Sequence, residues 1–155
     1  MAKTKIKALQ LKVRIPKLIL DIRGADPKLL EELAPALENL DARVRILGPG
    51  LKTLPHAFSL EEALEEAHVW VVLAPHLAKD FSMVAERGIV PVMREGLHQE
   101  AENYNPVQEN GNAFLFHEPS AWQIYGAIVR ATENFAFSYD WENLRSQGRC
   151  LMERV

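Results

Sequence analysis

The sequence predicts an α/β fold: a Rossmann-like, doubly wound, mostly parallel sheet of about five strands with helices on both faces. Short apolar runs of the kind that form strands buried on both faces alternate along the chain with segments of helical periodicity. Parallel neighbours in a sheet need crossover connections, which the helical segments supply. Since 155 residues is the usual length of one domain, we expect residues 1–155 to form a single Rossmann-like domain.

Composition and charge limit the classes of function. Hydrophobic residues make up 48% of the chain and charged residues 25%, as in ordinary folded proteins. The net charge of −3 gives no general attraction to nucleic acid or to an anionic membrane, and we expect neither as a partner. No apolar run approaches the roughly 20 residues of a membrane span, and the basic first residues lack the apolar region of a secretory signal. The single cysteine, Cys150, excludes an internal disulfide and predicts a cytoplasmic protein.

The first strand and the first helix follow one another directly. Lys17–Ile22 is a short apolar run, after which Asp26 can serve as a helix N-cap and Pro27 as the first helical residue. The leucines of this segment fall on one helical face: Leu29, Leu30, Leu33, Leu37 and Leu40. Pro35 lies inside the pattern and is expected to kink or interrupt the helix. Arg43–Leu47 is the second strand.

The middle of the chain continues the alternation. Ser59 and Glu62 form a capping box that predicts a short helix. Val69–Leu73 is the strongest buried-strand pattern in the chain. Asp80–Arg87 then favours a helix that ends before Gly88.

The last third predicts two strands separated by a long connection. Ile89–Met93 has the pattern of a strand, although Pro91 suits an edge or a strand end better than a central position. Residues 94–112 are polar and rich in turn formers, so we expect one long loop. A short strand at Ala113–Phe116 follows.

Two helices are expected at the end of the chain. Ser120 and Gln123 form a second capping box. The terminal helix is expected from Asp140 to about Arg154, with Trp141 and Leu144 as its buried anchors. Ligands of open parallel sheets bind outside the carboxyl ends of the strands. The loops at those ends are therefore the candidate site: Arg23–Lys28, Gly48–Lys52, Pro75–Asp80 and Arg94–Gly111.

Several of these segments resemble the glycogen and starch synthases. Gly88–Leu97 looks like the strand and glycine turn of the bacterial enzymes, and Asn110–Phe116 resembles their Gly-x-Gly-Phe-x-Phe segment. Lys7–Gln10 is similar to the run that opens the family's second domain, and Ile46–Gly48 to the end of its second strand. Trp141 stands where the family has its terminal Trp. The similarity covers nearly the whole chain in order.

This resemblance implies a GT-B glycosyltransferase architecture, in which two Rossmann-like domains face each other and the C-terminal one holds ADP-glucose or UDP-glucose. The chain is expected to begin at the boundary between the two and to contain the second domain. In the family, an Arg and a Lys with the spacing of Arg23 and Lys28 hold the donor diphosphate. Two cations beside a helix N-terminus suit that task on physical grounds as well. The alternative is a pair of ordinary surface cations, with Lys28 interacting with Glu31 or Glu32.

A second group of candidate residues follows the fourth strand. Arg94, Glu95 and Gly96 occupy the position of the family's glycine-rich turn, whose backbone N–H groups meet the donor phosphate. This chain keeps one glycine where the family usually has two, and a plain turn after a strand is the alternative. The residues expected to bind the donor are therefore Arg23, Lys28, Arg94, Glu95 and Gly96.

The chain departs from the family where the transferring sugar is held. The family's Glu-Pro-Cys-Gly core, whose Glu contacts that sugar, has no counterpart between Pro75 and Gly88, and neither Asp80 nor Glu86 aligns with it. The segment between Gly50 and Ser59, which helps form the nucleoside pocket in the family, is also short. We therefore expect no catalytic residue in this chain.

The remaining motifs are weak. The histidines have no metal-binding spacing, so no metal or resident cofactor is expected: His56, His68, His76, His98 and His117. The three tryptophans, Trp70, Trp122 and Trp141, fall in buried-looking patterns and are expected in the core.

Three functions remain open at this point. The first is a degenerate glycosyltransferase domain, non-catalytic alone, that binds ADP, UDP or their glucose conjugates. The second is the donor-binding half of a split glycosyltransferase that acts with a partner subunit. The third is an interaction or regulatory module with a vestigial donor site. A protein partner or a homodimer is expected to cover the face that a missing domain would occupy.

Overall fold

A computed structural model describes residues 14–153, with side chains as far as Arg149. Every strand pairing is parallel, and the strand order of the five-stranded sheet is β2-β1-β3-β4-β5. The strands are β1 (Lys17–Asp21), β2 (Arg43–Leu47), β3 (Val69–Val72), β4 (Val90–Arg94) and β5 (Phe114–Phe116). The helices are α1 (Pro27–Leu37), α2 (Leu60–Leu64), a 3₁₀ helix (Pro75–Asp80), α3 (Phe81–Glu86), α4 (Ala121–Phe135) and α5 (Ser138–Glu153). The predicted Rossmann-like α/β fold is confirmed. The Lys7–Gln10 segment and the expected helix end at Arg154 lie outside the described residues.

The sheet carries an apolar core on each face. Leu18 and Leu20 of β1 point to one face, where they pack with α1, α4 and α5. Ile19 points to the other face, where it packs with α2, the 3₁₀ helix and α3. This alternation follows from the two-residue period of a strand. Because both faces are covered, the edges formed by the strand ends are where ligands have access to the sheet.

Side-chain caps begin α1, α2 and α4 as predicted. The Asp26 carboxylate accepts from the backbone N–H of Lys28 at 3.1 Å and begins α1. The hydroxyls of Ser59 and Ser120 each accept from the N–H three residues on, at 3.2 Å. Contrary to expectation, Pro35 does not interrupt α1, which continues through it to Leu37. A proline so close to the helix end removes little of the hydrogen-bond ladder.

Pro91 lies in β4, an inner strand between β3 and β5, which differs from the predicted edge position. Val90 donates its N–H to His68 next to β3 at 3.0 Å. Since successive residues of a strand direct their N–H groups to opposite sides, the nitrogen of Pro91 faces β5. Pairing with β5 begins only at Val92, opposite Phe114. No ladder hydrogen bond is lost, and the proline is tolerated there.

Trp122 is 84% exposed, so the prediction that it lies in the core is wrong, whereas Trp70 and Trp141 are buried. The buried face of α4 begins at Ile124 and continues at three- and four-residue intervals. A position two residues before Ile124 is rotated about 200° around the helix and faces outward. The capping serine fixes where α4 begins, and with it the outward position of Trp122.

The long connection between β4 and β5 is held by buried polar contacts. The side-chain amide of Asn112, 3% exposed, accepts from the N–H of Glu102 at 2.8 Å and donates to the carbonyl of Glu100 at 2.9 Å. The hydroxyl of Tyr104 donates to Asp140 of α5 at 2.8 Å. Burial, followed by this hydrogen bond, raises the pKa of Tyr104 to about 12. The predicted loop is thus anchored to the body of the protein.

Candidate functional site

The strand order places a crevice at the carboxyl ends of β1 and β3. From β1 the chain goes to β2 on one side, and β3 then lies on the other side of β1. Such a reversal separates the loops above the two strands and is where doubly wound proteins bind ligands. A cavity of about 280 Å³ lies at this edge of the sheet. Its lining includes Gly24, Asp26, Leu73, Arg94, Leu97 and Phe116.

The loop after β1 depends on a glycine. Gly24 has a φ of +74°, and a Cβ there would lie 2.7 Å from Cε1 of His76. Any other residue would therefore meet both backbone strain and a side-chain clash. His76 begins the connection after β3, so its ring covers the loop from across the crevice.

The Arg23 side chain forms an ion pair with the buried carboxylate of Asp21, the last residue of β1. Its Nε donates to Oδ1 of Asp21 at 2.8 Å and its Nη2 to Oδ2 at 2.7 Å, while Asp21 is fully buried. The indole N–H of Trp70 donates to the same carboxylate at 3.0 Å, and Asp80 lies 3.7 Å from the guanidinium. The hydrogen bonds that Arg23 donates to Asp21 raise the pKa of Arg23. Arg23 is thus held in an ion pair beside the crevice and does not line it.

Lys28 is in a different position. Its side chain is exposed, and among residues 14–153 it makes no ion pair with Glu31, Glu32 or any other carboxylate. Its backbone N–H is already bonded to the Asp26 carboxylate, and Pro27 has no N–H to offer. The first two residues of α1 therefore offer a phosphate no free N–H group, and an anion near them would meet the Lys28 ammonium.

The residues after β4 form a second group. Arg94 lines the cavity and donates from Nε to the carbonyl of His117 at 3.1 Å. The Glu95 carboxylate contacts Nδ1 of the His117 ring, and the Glu95 N–H donates to the Phe116 carbonyl at 2.8 Å. Gly96 has a φ of +86°, and no atom lies within 4 Å of the position that its Cβ would take. The β4–β5 pairing thus places Arg94 and Glu95 against His117, which sequence reasoning had not selected.

A neighbouring cavity of about 490 Å³ lies between β5 and α4, lined in part by Glu95, Gln123 and Arg130. Its polar groups have structural partners. Arg130 donates to the carbonyl of Leu115 at 2.8 Å, and Asn103 accepts from the N–H of Leu115 at 3.0 Å. These contacts satisfy the backbone of β5, which is an edge strand, and protect it from pairing with another chain. The cavity between β5 and α4 is therefore less suited to a ligand than the crevice at the ends of β1, β3 and β4.

Two further properties of the described residues bear on the site. Among residues 14–153, no three His, Cys, Asp or Glu side chains come together as metal ligands would. Within that same range, no helix combines the length and the apolar character that crossing a membrane requires.

The chain matches no protein-family model. Over 67 residues, which are 42% of this chain and 14% of the relative, it is 31% identical to glycogen synthase 1 of Synechocystis sp.. In fold it resembles Anabaena HepE, solved in complex with UDP and glucose, with a TM-score of 0.64 and 12% identity. That match covers 99% of this chain and 48% of HepE, so the chain spans about half the length of that protein.

A second solved structure gives the same architecture. The catalytic domain of cholesterol-α-glucosyltransferase from Helicobacter pylori matches with a TM-score of 0.61 and 17% identity, over 90% of this chain and 98% of that one. At such identities the likeness shows the fold alone. The expected resemblance is confirmed at this level: the chain is glycosyltransferase-like, with a Rossmann-like fold shared with GT-B neighbours and a segment similar in sequence to a glycogen synthase.

Proposed function

We propose that this chain is a glycosyltransferase-like domain that binds a nucleoside diphosphate or a nucleotide sugar and does not catalyse transfer by itself. The observation that carries the proposal is the cavity of about 280 Å³ at the point where the strand order reverses. HepE, which has a similar fold, was solved with UDP and glucose. We extend that class of ligand to the crevice of this chain.

The charges around the crevice favour two cations as phosphate contacts. Arg94 lines the cavity from β4, and the exposed Lys28, which makes no ion pair within residues 14–153, follows the crevice-lining Gly24–Asp26 segment. The open turn at Gly96 gives a ligand room to approach the backbone. Arg23, by contrast, already neutralises Asp21. We therefore propose Lys28 and Arg94 as the principal phosphate contacts, with Glu95 and Gly96 shaping the turn and Arg23 supporting the loop.

The proposal that the chain is non-catalytic alone rests on the acids near the crevice. Asp26 is the one acidic side chain among the described lining residues, and its carboxylate caps α1. Asp80 lies beside Arg23, and Glu86 is exposed at the end of α3. Among residues 14–153, no free carboxylate of the crevice lining is thus placed to contact a transferring sugar.

The test is a ligand titration with ADP, UDP, ADP-glucose and UDP-glucose, followed by melting temperature and then by calorimetry. Ligand that binds the folded state raises its stability, so millimolar concentrations reveal even weak binding. We expect a rise with at least one ligand that Lys28→Ala and Arg94→Ala reduce, whereas Arg43→Ala, at an exposed arginine where β2 begins, leaves it intact. No rise with any of the four ligands would contradict the proposal and favour an interaction module.

A second candidate is the donor-binding half of a glycosyltransferase that works with a complementary domain. It is favoured by the coverage of HepE, since this chain spans 48% of that protein. The two candidates differ in what the chain does alone. Release of UDP or ADP from the nucleotide sugar by the chain alone, abolished in Lys28→Ala, would contradict the non-catalytic proposal; we expect no release.

A further inference from the structure

A separate cavity lies at the opposite edge of the sheet, where the strands begin. Its volume is about 420 Å³, within the usual range for small-molecule sites. Lys17 is the first residue of β1, and His68 directly precedes β3. The lining includes Arg14, Lys17, His68, Arg87, Trp141 and Arg145. This cavity is separated from the proposed nucleotide crevice by the length of the strands.

The cavity is rich in positive charge in a chain whose net charge is −3. Its lining contains four Arg or Lys side chains against two carboxylates, those of Glu65 and Glu66. The ion pair of Lys17 with Glu66 spans 3.3 Å and is largely exposed, so it holds Lys17 weakly. Arg87 is exposed and makes no ion pair among the described residues. Lys17 and Arg87 are therefore available to an added anion.

Two guanidinium groups of α5, those of Arg145 and Arg149, lie close to Gly88 at this edge. Gly88 has a φ of +75°, and Nη2 of Arg149 lies 2.6 Å from the position of a Cβ there. Nε of Arg145 donates to the Gly88 carbonyl at 3.0 Å, and its Nη1 pairs with Glu142. A side chain at this glycine would displace both arginines. Because Gly88 has no side chain, the guanidinium groups of Arg145 and Arg149 can lie close to it.

Two aromatic side chains of the lining, His68 and Trp141, carry N–H donors. Nδ1 of His68 accepts from the backbone N–H of Lys17 at 2.9 Å, so the neutral ring carries its proton on Nε2. Burial, and then the charges of Lys17, Arg14 and Arg145, lower the pKa of His68. The buried Nε1 of Trp141 has no hydrogen-bond partner among the described residues.

We propose that this amino-edge cavity binds a small phosphate or phosphate monoester. Lys17 and Arg87 supply the principal cationic contacts, while Arg14 and Arg145 add to the positive field. Such an anion accepts charge-assisted hydrogen bonds from these cations and offsets the surplus of positive charge in the lining. A cavity of this size suits a small molecule rather than a polymer. The site is independent of the nucleotide crevice, and neither proposal depends on the other.

The test uses His68 as a reporter, because an anion bound beside it offsets the cations that lower its pKa. The ring is titrated by NMR in sodium phosphate and in sodium chloride at equal ionic strength, and then with glycerol phosphate. The expected result is a higher pKa of His68 in phosphate than in chloride. The two phosphate probes distinguish the free ion from a monoester as the preferred ligand.

Variants locate the effect. Arg87→Gln, at an exposed side chain, is expected to weaken phosphate binding roughly tenfold, as loss of one charge-assisted hydrogen bond would. Lys17→Gln should do the same, whereas Lys52→Gln and the crevice variant Arg94→Ala should retain the wild-type response. Equal His68 pKa values in phosphate and chloride would overturn the proposal. A phosphate response that Arg87→Gln leaves unchanged would also overturn it.

Discussion

Removal of the Arg23 guanidinium provides a sharp test of how the crevice is built. In Arg23→Met the apolar stem is kept, but the fully buried Asp21 carboxylate loses hydrogen bonds of 2.8 and 2.7 Å and retains the N–H of Trp70 at 3.0 Å. Breaking a buried pair from one side costs about 3–5 kcal/mol. Because the Arg23 side chain is 35% exposed, water offsets part of that loss, and we expect about 2 kcal/mol.

The assay is urea denaturation of the wild type, of Arg23→Met and of Arg43→Met, which removes an exposed arginine at the start of β2. The control should change the free energy of unfolding by less than about 0.5 kcal/mol. Adding Asp21→Asn to Arg23→Met should cost less than the sum of the two single variants, since the uncompensated charge is then gone. A loss in Arg23→Met no larger than in Arg43→Met would refute the reasoning. Arg23 would then be free to contact a phosphate, as the sequence analysis expected.

Further expectations concern the rest of the fold. Gly126→Ala, at an exposed helical site with no atom within 4 Å of the new Cβ, should raise stability by about 0.5–1 kcal/mol in urea denaturation. Gly111→Ala should lower it by more than 2 kcal/mol, or about 4 °C or more in melting temperature, because φ is +105° and backbone atoms lie 2.5 Å from the new Cβ. Tyr104 should ionise near pH 12 by ultraviolet titration, so its contribution to stability is fully present below about pH 10 and is lost as pH rises through 12. Trp122→Ala, at a side chain 84% exposed, should change stability by less than about 0.5 kcal/mol; a larger loss would show that Trp122 is covered.

The sequence predicted the sheet well because its signals are local. Val69–Val72 is buried at every position, as expected for an uninterrupted apolar run. The caps at Asp26 and Ser59 act over three residues and were visible as spacing. Pro91 was misplaced because its tolerance depends on where β5 starts to pair, which is a property of the assembled sheet.

The loops of the candidate site could be placed at strand ends from the sequence, but their contacts could not be predicted. Strand ends and resemblance together selected the loops around Arg23 and Arg94. The ion pair of Arg23 with Asp21 was not predicted, although a carboxylate in an otherwise apolar strand was a signal for it. His117 was missed because it comes to Glu95 through pairing of strands that are separated by a long loop. Such contacts depend on tertiary geometry that no local spacing encodes.

The central claim is that a nucleotide binds at the carboxyl ends of β1, β3 and β4. The most direct measurement is amide NMR mapping of the chain with millimolar UDP and UDP-glucose. We predict that the shifted amides cluster at residues 23–28 and 94–97, and that Lys28→Ala weakens the response. Shifts confined to the amino edge around His68, or no shifts at all, would contradict the claim.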